Sequence, residues 1–332
     1  MEPVSATRAG KPAWIDRPAV LLANARSGIA LLVDRLNPKQ VWMPSYLCDS
    51  MVAGVDQSKT TLRHYEVTDR LALGATDFLE HVGAGDLVFF IAYFGFPQDA
   101  AAAASARARG AWVVKDACQA MLSDDREGEY DFVLFSPRKF VGVPDGGILA
   151  FRPGLDLGEV ALSPPPAEWW LDSFRACTLR GEYDRHGGDR GWFELFRRCE
   201  AESPIGAYAM SELTRLILSH GVDAARISER RRRNYERLTG RLASVALFPR
   251  LPAGVVPLGF PISVDGRDLL RNRLFEHEIF PAVHWPLPDS VPPAFAATHR
   301  LAERILTLPC DQRYGEEEMD RMAAIVAAVV ET

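Results

Sequence analysis

The chain predicts an α/β protein built on an open, largely parallel sheet, and three observations carry that expectation. Residues 87–92 form an unbroken apolar run, LVFFIA, of the kind buried on both faces of a sheet. An alanine-rich stretch at 99–109 has strong helix propensity, and Gly110 closes it. A second apolar run, ending in Asp116, comes directly after. Strands alternating with helices argue for parallel pairing. In such sheets ligands gather at the carboxyl ends of the strands, where Tyr93, Asp116 and Ser136 fall.

Taken in order, residues 1–18 are polar, contain Pro3, Pro12 and Pro18, and read as an arm outside the core. Residues 21–23 lead into Asn24-Ala25-Arg26-Ser27-Gly28 and an apolar helical run over 29–36. A turn that opens a helix presents free N–H groups suited to an anion, although an ordinary capped helix reads the same way. Residues 41–43 form a short buried strand that ends at Pro44-Ser45-Tyr46, where another helix starts, and residues 60–67 form a further strand. After the Asp116 strand comes one that delivers Ser136 and Lys139, and a Pro-Asp-Gly-Gly turn at 144–147 leads into a third. Residues 153–205 read as irregular: they hold Pro164 to Pro166, Trp169-Trp170 and an arginine-rich run through Arg175, Arg180, Arg185, Arg190, Arg197 and Arg198. From 206 to 242 the pattern is helical with a break near Gly221. A strand at 258–264, a helix at 267–276 and a strand at 279–284 complete a compact α+β lobe.

Composition narrows the function classes. The 332 residues carry a formal net charge of -6, which gives no electrostatic reason for nucleic acid or an anionic membrane as partner. The basic run Arg230 to Arg233 splits over all faces of its helix and lacks a basic domain around it. No apolar run approaches a membrane span and no secretory leader is recognisable at the N-terminus. The five cysteines, Cys48, Cys118, Cys177, Cys199 and Cys310, are scattered and unpaired in spacing, so neither a disulfide framework nor a zinc or other metal site is indicated. A cytoplasmic protein is expected. Rossmann and P-loop glycine patterns are absent.

The chemistry concentrates at 113–151. Pyridoxal phosphate (PLP) needs an amine to hold its aldehyde, a carboxylate to keep its ring nitrogen protonated and donors for its phosphate. Lys139, Asp116 and Ser136 are the residue types for those three jobs. The lysine amine must be available in its neutral form, and a nearby cationic Arg138 or partial burial would favour that. Two other classes remain open from the residues. Ser136-x-x-Lys139 matches an acylating serine with its lysine, but the S-D-N and K-T-G partners of that chemistry are missing. A non-catalytic binding protein that retains the fold is the other.

The run D-A-C-Q-A at 116–120 followed by F-S-P-R-K-F-V-G-V-P-D-G-G at 135–147 resembles the PLP core of the DegT/DnrJ/StrS sugar aminotransferases. A-R-S-G-I-A-L at 25–31, P-S-Y at 44–46, Y-F-G-F-P at 93–97, V-H-W-P-L-P at 283–288 and L-P-C-D-Q-R-Y at 308–314 follow in family order, so the resemblance covers nearly the whole chain. It implies a fold type I aminotransferase-like architecture, with a large PLP-binding domain over 1–220 and a connecting helix and small C-terminal α+β domain over 221–332. It implies that Ala25, Arg26, Ser27 and Ser136 touch the cofactor phosphate, that Asp116 meets the ring nitrogen and that Gln119 lies near the ring oxygen. Tyr46 is the candidate to stack on the ring; straight alignment puts Cys48 at that place. Tyr93, Arg180, His284 and Arg313 are the candidate substrate-facing residues. The implied reaction moves an amino group from glutamate or a similar donor to a keto group, most plausibly of a nucleotide-linked sugar, in a homodimer. Dehydration, cyclisation or amino-acid modification are alternatives within PLP chemistry. The family's Asn-Tyr-Arg, by which a neighbouring subunit reaches the phosphate, is not recognisable around 202–210.

Overall fold

The computed structural model describes residues 17–124 and 130–330. Most of the expected N-terminal arm therefore lies outside the described residues. The chain starts with β1 (Ala19–Leu22), α1 (Ala25–Leu36), β2 (Gln40–Pro44), the single-turn α2 (Asp49–Val52), β3 (Thr61–Tyr65) and β4 (Leu87–Ile91). The alanine-rich α3 (Ala100–Ala108) is capped by Asp99, whose side chain accepts from the Ala101 and Ala102 amides. It leads to β5 (Trp112–Asp116), β6 (Phe132–Phe135) and β7 (Gly147–Phe151).

These seven strands form one sheet in the order β1-β7-β6-β5-β4-β2-β3. β7 runs antiparallel to both neighbours, and every other adjacent pair is parallel. All five residues of β4 are buried, as an apolar run in the sheet centre requires. The register sets Leu22 opposite Gly147 and Phe135 opposite Ile148. The end of β1, the start of β7 and the ends of β5 and β6 thus meet at one edge. That edge is where Asn24, Asp116, Ser136 and Gly147 converge.

The stretch expected to be irregular is irregular only to Pro166. Beyond it stand α4 (Ala167–His186) and α5 (Gly191–Ala201), packed on each other. The prolines that suggested a loop serve as the lead-in to a helix, a position where proline costs nothing. α6 (Glu212–His220) and α7 (Ala224–Leu242) are the two parts of the expected helix, broken at Gly221 as its pattern required, and only 206–211 lies outside it. Within the basic run of α7, Arg231 is buried and donates to Gln312 Oε1 and to the carbonyls of Pro257 and Leu258, while Arg233 pairs with Glu229 on the surface.

A second, smaller sheet pairs β8 (Phe260–Ser263) antiparallel with β9 (Ile305–Leu308). Around it lie α8 (Arg267–Glu276), α9 (Ala296–Arg304) and α10 (Glu316–Val330). The strand expected at 279–284 reduces to a single bridge between Ala282 and Thr307. Pro281 and Pro286 bracket it, and proline brings no N–H to a ladder. One continuous apolar core runs through both lobes, from Leu22 to Val326. Among the described residues, no helix is long and apolar enough to cross a membrane.

Candidate active site

Two glycines make the sheet edge passable. Gly146 has φ +126 and donates its N–H to the Ala23 carbonyl at 2.7 Å. A Cβ on Gly147 would lie 2.1 Å from the Asn24 carbonyl carbon and 2.3 Å from the Ala25 nitrogen. The absence of a side chain at 147 therefore lets β7 press against the turn that opens α1. That turn is capped by Asn24, whose Oδ1 accepts from the Ser27 amide at 3.0 Å and the Ser27 hydroxyl at 3.1 Å. Asn24 Nδ2 donates to Ser203 Oγ and to the Pro204 carbonyl, which fastens the segment after α5 over the same turn.

Asp116 ends β5, buried, with Oδ1 accepting from the Cys118 amide at 2.8 Å. One turn on, Gln119 Oε1 accepts from the Phe94 amide at 2.7 Å, while its Nε2 is buried without an acceptor. Phe94 holds φ 54, a strained value for an aromatic residue, at the turn after β4. Ser136 ends β6, buried, and its carbonyl accepts from the Lys139 amide to close the 3₁₀ turn Pro137–Lys139. The Lys139 side chain is exposed.

The expected burial of the lysine is therefore absent, and so is a free charge on Arg138. Arg138 Nη1 forms a short hydrogen-bonded ion pair with Glu200 Oε1, and Arg26 donates from Nη1 to the Glu200 carbonyl at 3.0 Å and from Nη2 to Oε2 at 3.4 Å. Burial alone would raise the Glu200 carboxyl, but the charge and hydrogen bond of Arg138, with Arg26 and Lys139 behind, hold it below its ordinary range. Glu200 and this use of Arg138 were missed from the sequence. Glu200 stands 174 residues from Arg26 and 62 from Arg138, and only the α4–α5 hairpin brings them together.

The sequence-derived residues divide into groups. The field of Lys139 reaches Cys48, Cys118, Glu200 and His284, and that of Asp116 reaches Cys48, Cys118 and Tyr93, so these side chains share one neighbourhood. Burial raises the Cys48 thiol, against the pull of Lys139. Cys48 keeps some exposure, whereas Tyr46 is fully buried, with its ring 5.9 Å from Tyr93 and 5.6 Å from Trp285. Tyr93 is also fully buried, and its hydroxyl donates to the Tyr46 carbonyl. Both tyrosines thus pack as a wall behind the site. His284 retains some surface but is enclosed by Phe94 and Trp285, with Nδ1 2.9 Å from Thr307 Oγ1. Burial first, and Lys139 second, push its imidazole down to about 3.

The remaining candidates are committed elsewhere. The Ser27 hydroxyl, besides bonding Asn24, accepts from the Gly206 amide at 3.2 Å. Arg180 bonds Asp184 at 2.7 Å and lies 4.0 Å over the Trp192 ring. Arg313 grips Asp311 through both carboxylate oxygens, at 2.7 and 2.8 Å, and reaches Asp184 at 3.2 Å. Among the described residues, no three His, Cys, Asp or Glu side chains gather as a metal-holding group.

An amine, a carboxylate at a strand end, the leading N–H groups of α1 and a buried amide NH₂ without an acceptor are the donor and acceptor set that PLP requires. The orphaned Gln119 Nε2 is the sharpest sign of fit, since a buried donor without a partner is rare in a native fold.

No family model and no curated protein sequence matches the chain. Solved structures do. A DegT DnrJ EryC1 StrS aminotransferase from Brucella abortus superposes with a TM-score of 0.63 at 18% identity, over 95% of this chain and 86% of that one. The sugar aminotransferase CalS13 from Micromonospora echinospora gives 0.64 at 15% identity, over 93% and 87%. Spr1654 from Streptococcus pneumoniae, in its PLP form, gives 0.69 at 16% identity, over 96% and 88%. The chain has the fold of the DegT/DnrJ/EryC1/StrS aminotransferases.

Proposed function

We propose that this protein is a PLP-dependent aminotransferase that moves an amino group from an amino acid, with glutamate the first donor to try, to a keto group on a nucleotide-linked sugar. The observation that carries this reading is the placement of Lys139. Its amine stands exposed, its field reaches His284, and it acts on Cys118 together with Asp116, while the buried Gln119 NH₂ has no acceptor. PLP, when bound, supplies a ring that draws electrons from the carbon bearing the transferred amino group.

The chain's residues then take these parts. Lys139 would hold the cofactor through its aldehyde carbon, and its amine would move the proton at the substrate carbon that bears the amino group. Asp116 would meet the ring nitrogen and hold a proton there. Gln119 Nε2 donates to the ring oxygen, while Oε1 stays on the Phe94 amide. Ser136 and the first-turn N–H groups of α1, at Ala25 and Arg26, take the phosphate. Cys48, which retains exposure where Tyr46 does not, lines the ring face. His284, neutral at physiological pH, offers a hydrogen bond without a competing positive charge beside Lys139. The same reading divides the chain near 220 into a cofactor-binding part and a smaller part, and pairs two copies.

The test is the visible spectrum of the protein with PLP, for wild type and Lys139→Ala, before and after glutamate. The expected result is a band that needs Lys139 and bleaches with glutamate. A Lys139-dependent band that no amino acid donor bleaches would point to another PLP reaction. No such band in the wild type would overturn the enzyme assignment.

A further inference from the structure

Glu200 binds two arginines that reach it from different parts of the chain, Arg26 from the first turn of α1 and Arg138 from the turn that carries Lys139. All three side chains are largely withdrawn from water, at 12% exposure for Arg26, 20% for Arg138 and 32% for Glu200. Two guanidinium groups face the Glu200 carboxylate, with the Lys139 amine nearby, while the second carboxylate in the field of Arg138, Asp145, is already taken up by Ser211 and Thr214. The Arg138 Nε–H is buried with no acceptor. α1 adds its own field, because the positive end of its dipole and its leading N–H groups lie at Arg26. Two guanidinium groups gathered on one carboxylate, together with an unused donor, describe an anion site in which a side chain now sits.

Building on the assignment of Lys139 as the cofactor-holding residue, we propose that Arg26 and Arg138 bind a phosphate group and that Glu200 is the resident counterion it displaces. Glu200 is then a positioning residue. It keeps both guanidinium groups in place and compensated while the site is open, and it competes with the incoming anion for the same N–H groups. Guanidinium forks match phosphate oxygens in pairs, so the incoming phosphate makes better use of Arg138 than a single carboxylate oxygen does. The phosphate is either the cofactor's own or one carried by the substrate.

Titration calorimetry of inorganic phosphate into ligand-free wild type, Arg138→Gln and Glu200→Gln tests this. The expected result is affinity about tenfold tighter than wild type in Glu200→Gln, where the competing charge is gone, and about tenfold weaker in Arg138→Gln. A structural role for Glu200 alone would not tighten binding. Equal affinity in all three proteins, or weaker binding in Glu200→Gln, would overturn the proposal. If Arg138→Gln does not fold, the isosteric Glu200→Gln decides alone. Repeating the titration with PLP present separates the two sources: competition assigns the subsite to the cofactor phosphate, and simultaneous binding assigns it to a phosphate on the substrate. Phosphate binding that follows these variants in a protein with no Lys139-dependent band would leave the anion site standing and remove the aminotransferase.

Discussion

His284 shows how one residue's surroundings set its chemistry. Enclosed by Phe94 and Trp285 and within the field of Lys139, its imidazole takes up a proton only at a pH far below the free value of 6.5. Between about 3 and 6.5 the unfolded chain binds a proton here that the folded chain refuses. Stability therefore falls as pH drops below 6.5, with a slope from this residue of at most about 1.4 kcal/mol per pH unit. Urea unfolding of wild type and His284→Gln at several pH values from 4 to 7 should show a shallower pH dependence in the variant; parallel curves would contradict the assignment. Asp116, Gln119, Ser136 and Lys139 were legible in the sequence because they lie within 24 residues and each ends or follows an apolar strand. Glu200 was not, because no local pattern marks a carboxylate whose two partners lie far along the chain. Arg180 and Arg313 suggested carboxylate binding by residue type, yet Asp184 and Asp311 already satisfy them. Side-chain chemistry names a capability, and only neighbours decide whether it is in use.

Among the elements, α6 depends on a residue that the sequence attributed to a turn. Asp145 of the Pro-Asp-Gly-Gly turn is fully buried and accepts from the Ser211 amide and hydroxyl, each at 2.7 Å, and from the Thr214 hydroxyl. One carboxylate thus holds Ser211, which caps α6 by accepting from the Thr214 amide, and fixes the helix against the start of β7. Asp145→Ala would strand three donors at the α6 N-terminus, at a cost of about 2–4 kcal/mol from the lost cap and the unsatisfied groups. Chemical denaturation should report that loss, with Asp145→Asn recovering part of it; a change within about 0.5 kcal/mol would refute the capping role. The strands were the most legible elements, since five-residue apolar runs such as β4 admit few alternatives. α8 occupies 267–276 as its pattern required. α4 and α5 were hidden by arginines on their exposed faces, and the strand expected at 279–284 does not form, because its prolines bring no N–H to a ladder.

On the scale of the whole molecule, the α4–α5 hairpin leaves apolar side chains in water: Leu171 at 57% exposure, Phe174 at 39%, Phe193 at 40% and Phe196 at 42%. Such a grouping on two adjacent helices asks for a cover, and pairing of two copies is the arrangement proposed above. Light scattering should give twice the chain mass, and Phe196→Asp should lower it towards one; a monomeric wild type would rule the pairing out. The two lobes themselves are held in unequal ways. Ser45 Oγ accepts from the Val67 amide and lies 2.6 Å from Thr298 Oγ1, which in turn donates to the Val67 carbonyl. Since the one proton of Thr298 goes to Val67, Ser45 must be the donor to Thr298. Both hydroxyl hydrogens and the Val67 N–H and carbonyl in this buried ring have fixed partners, which makes it a rivet between α9 and the ends of β2 and β3. On the α4 side, beside the Gln312 Nε2 bond to the Phe140 carbonyl, Arg313 and Asp184 add an ion pair partly open to water and screened by salt. The two contacts answer differently to salt: rising ionic strength weakens the Arg313–Asp184 pair and leaves the buried ring of Ser45, Thr298 and Val67 as it is.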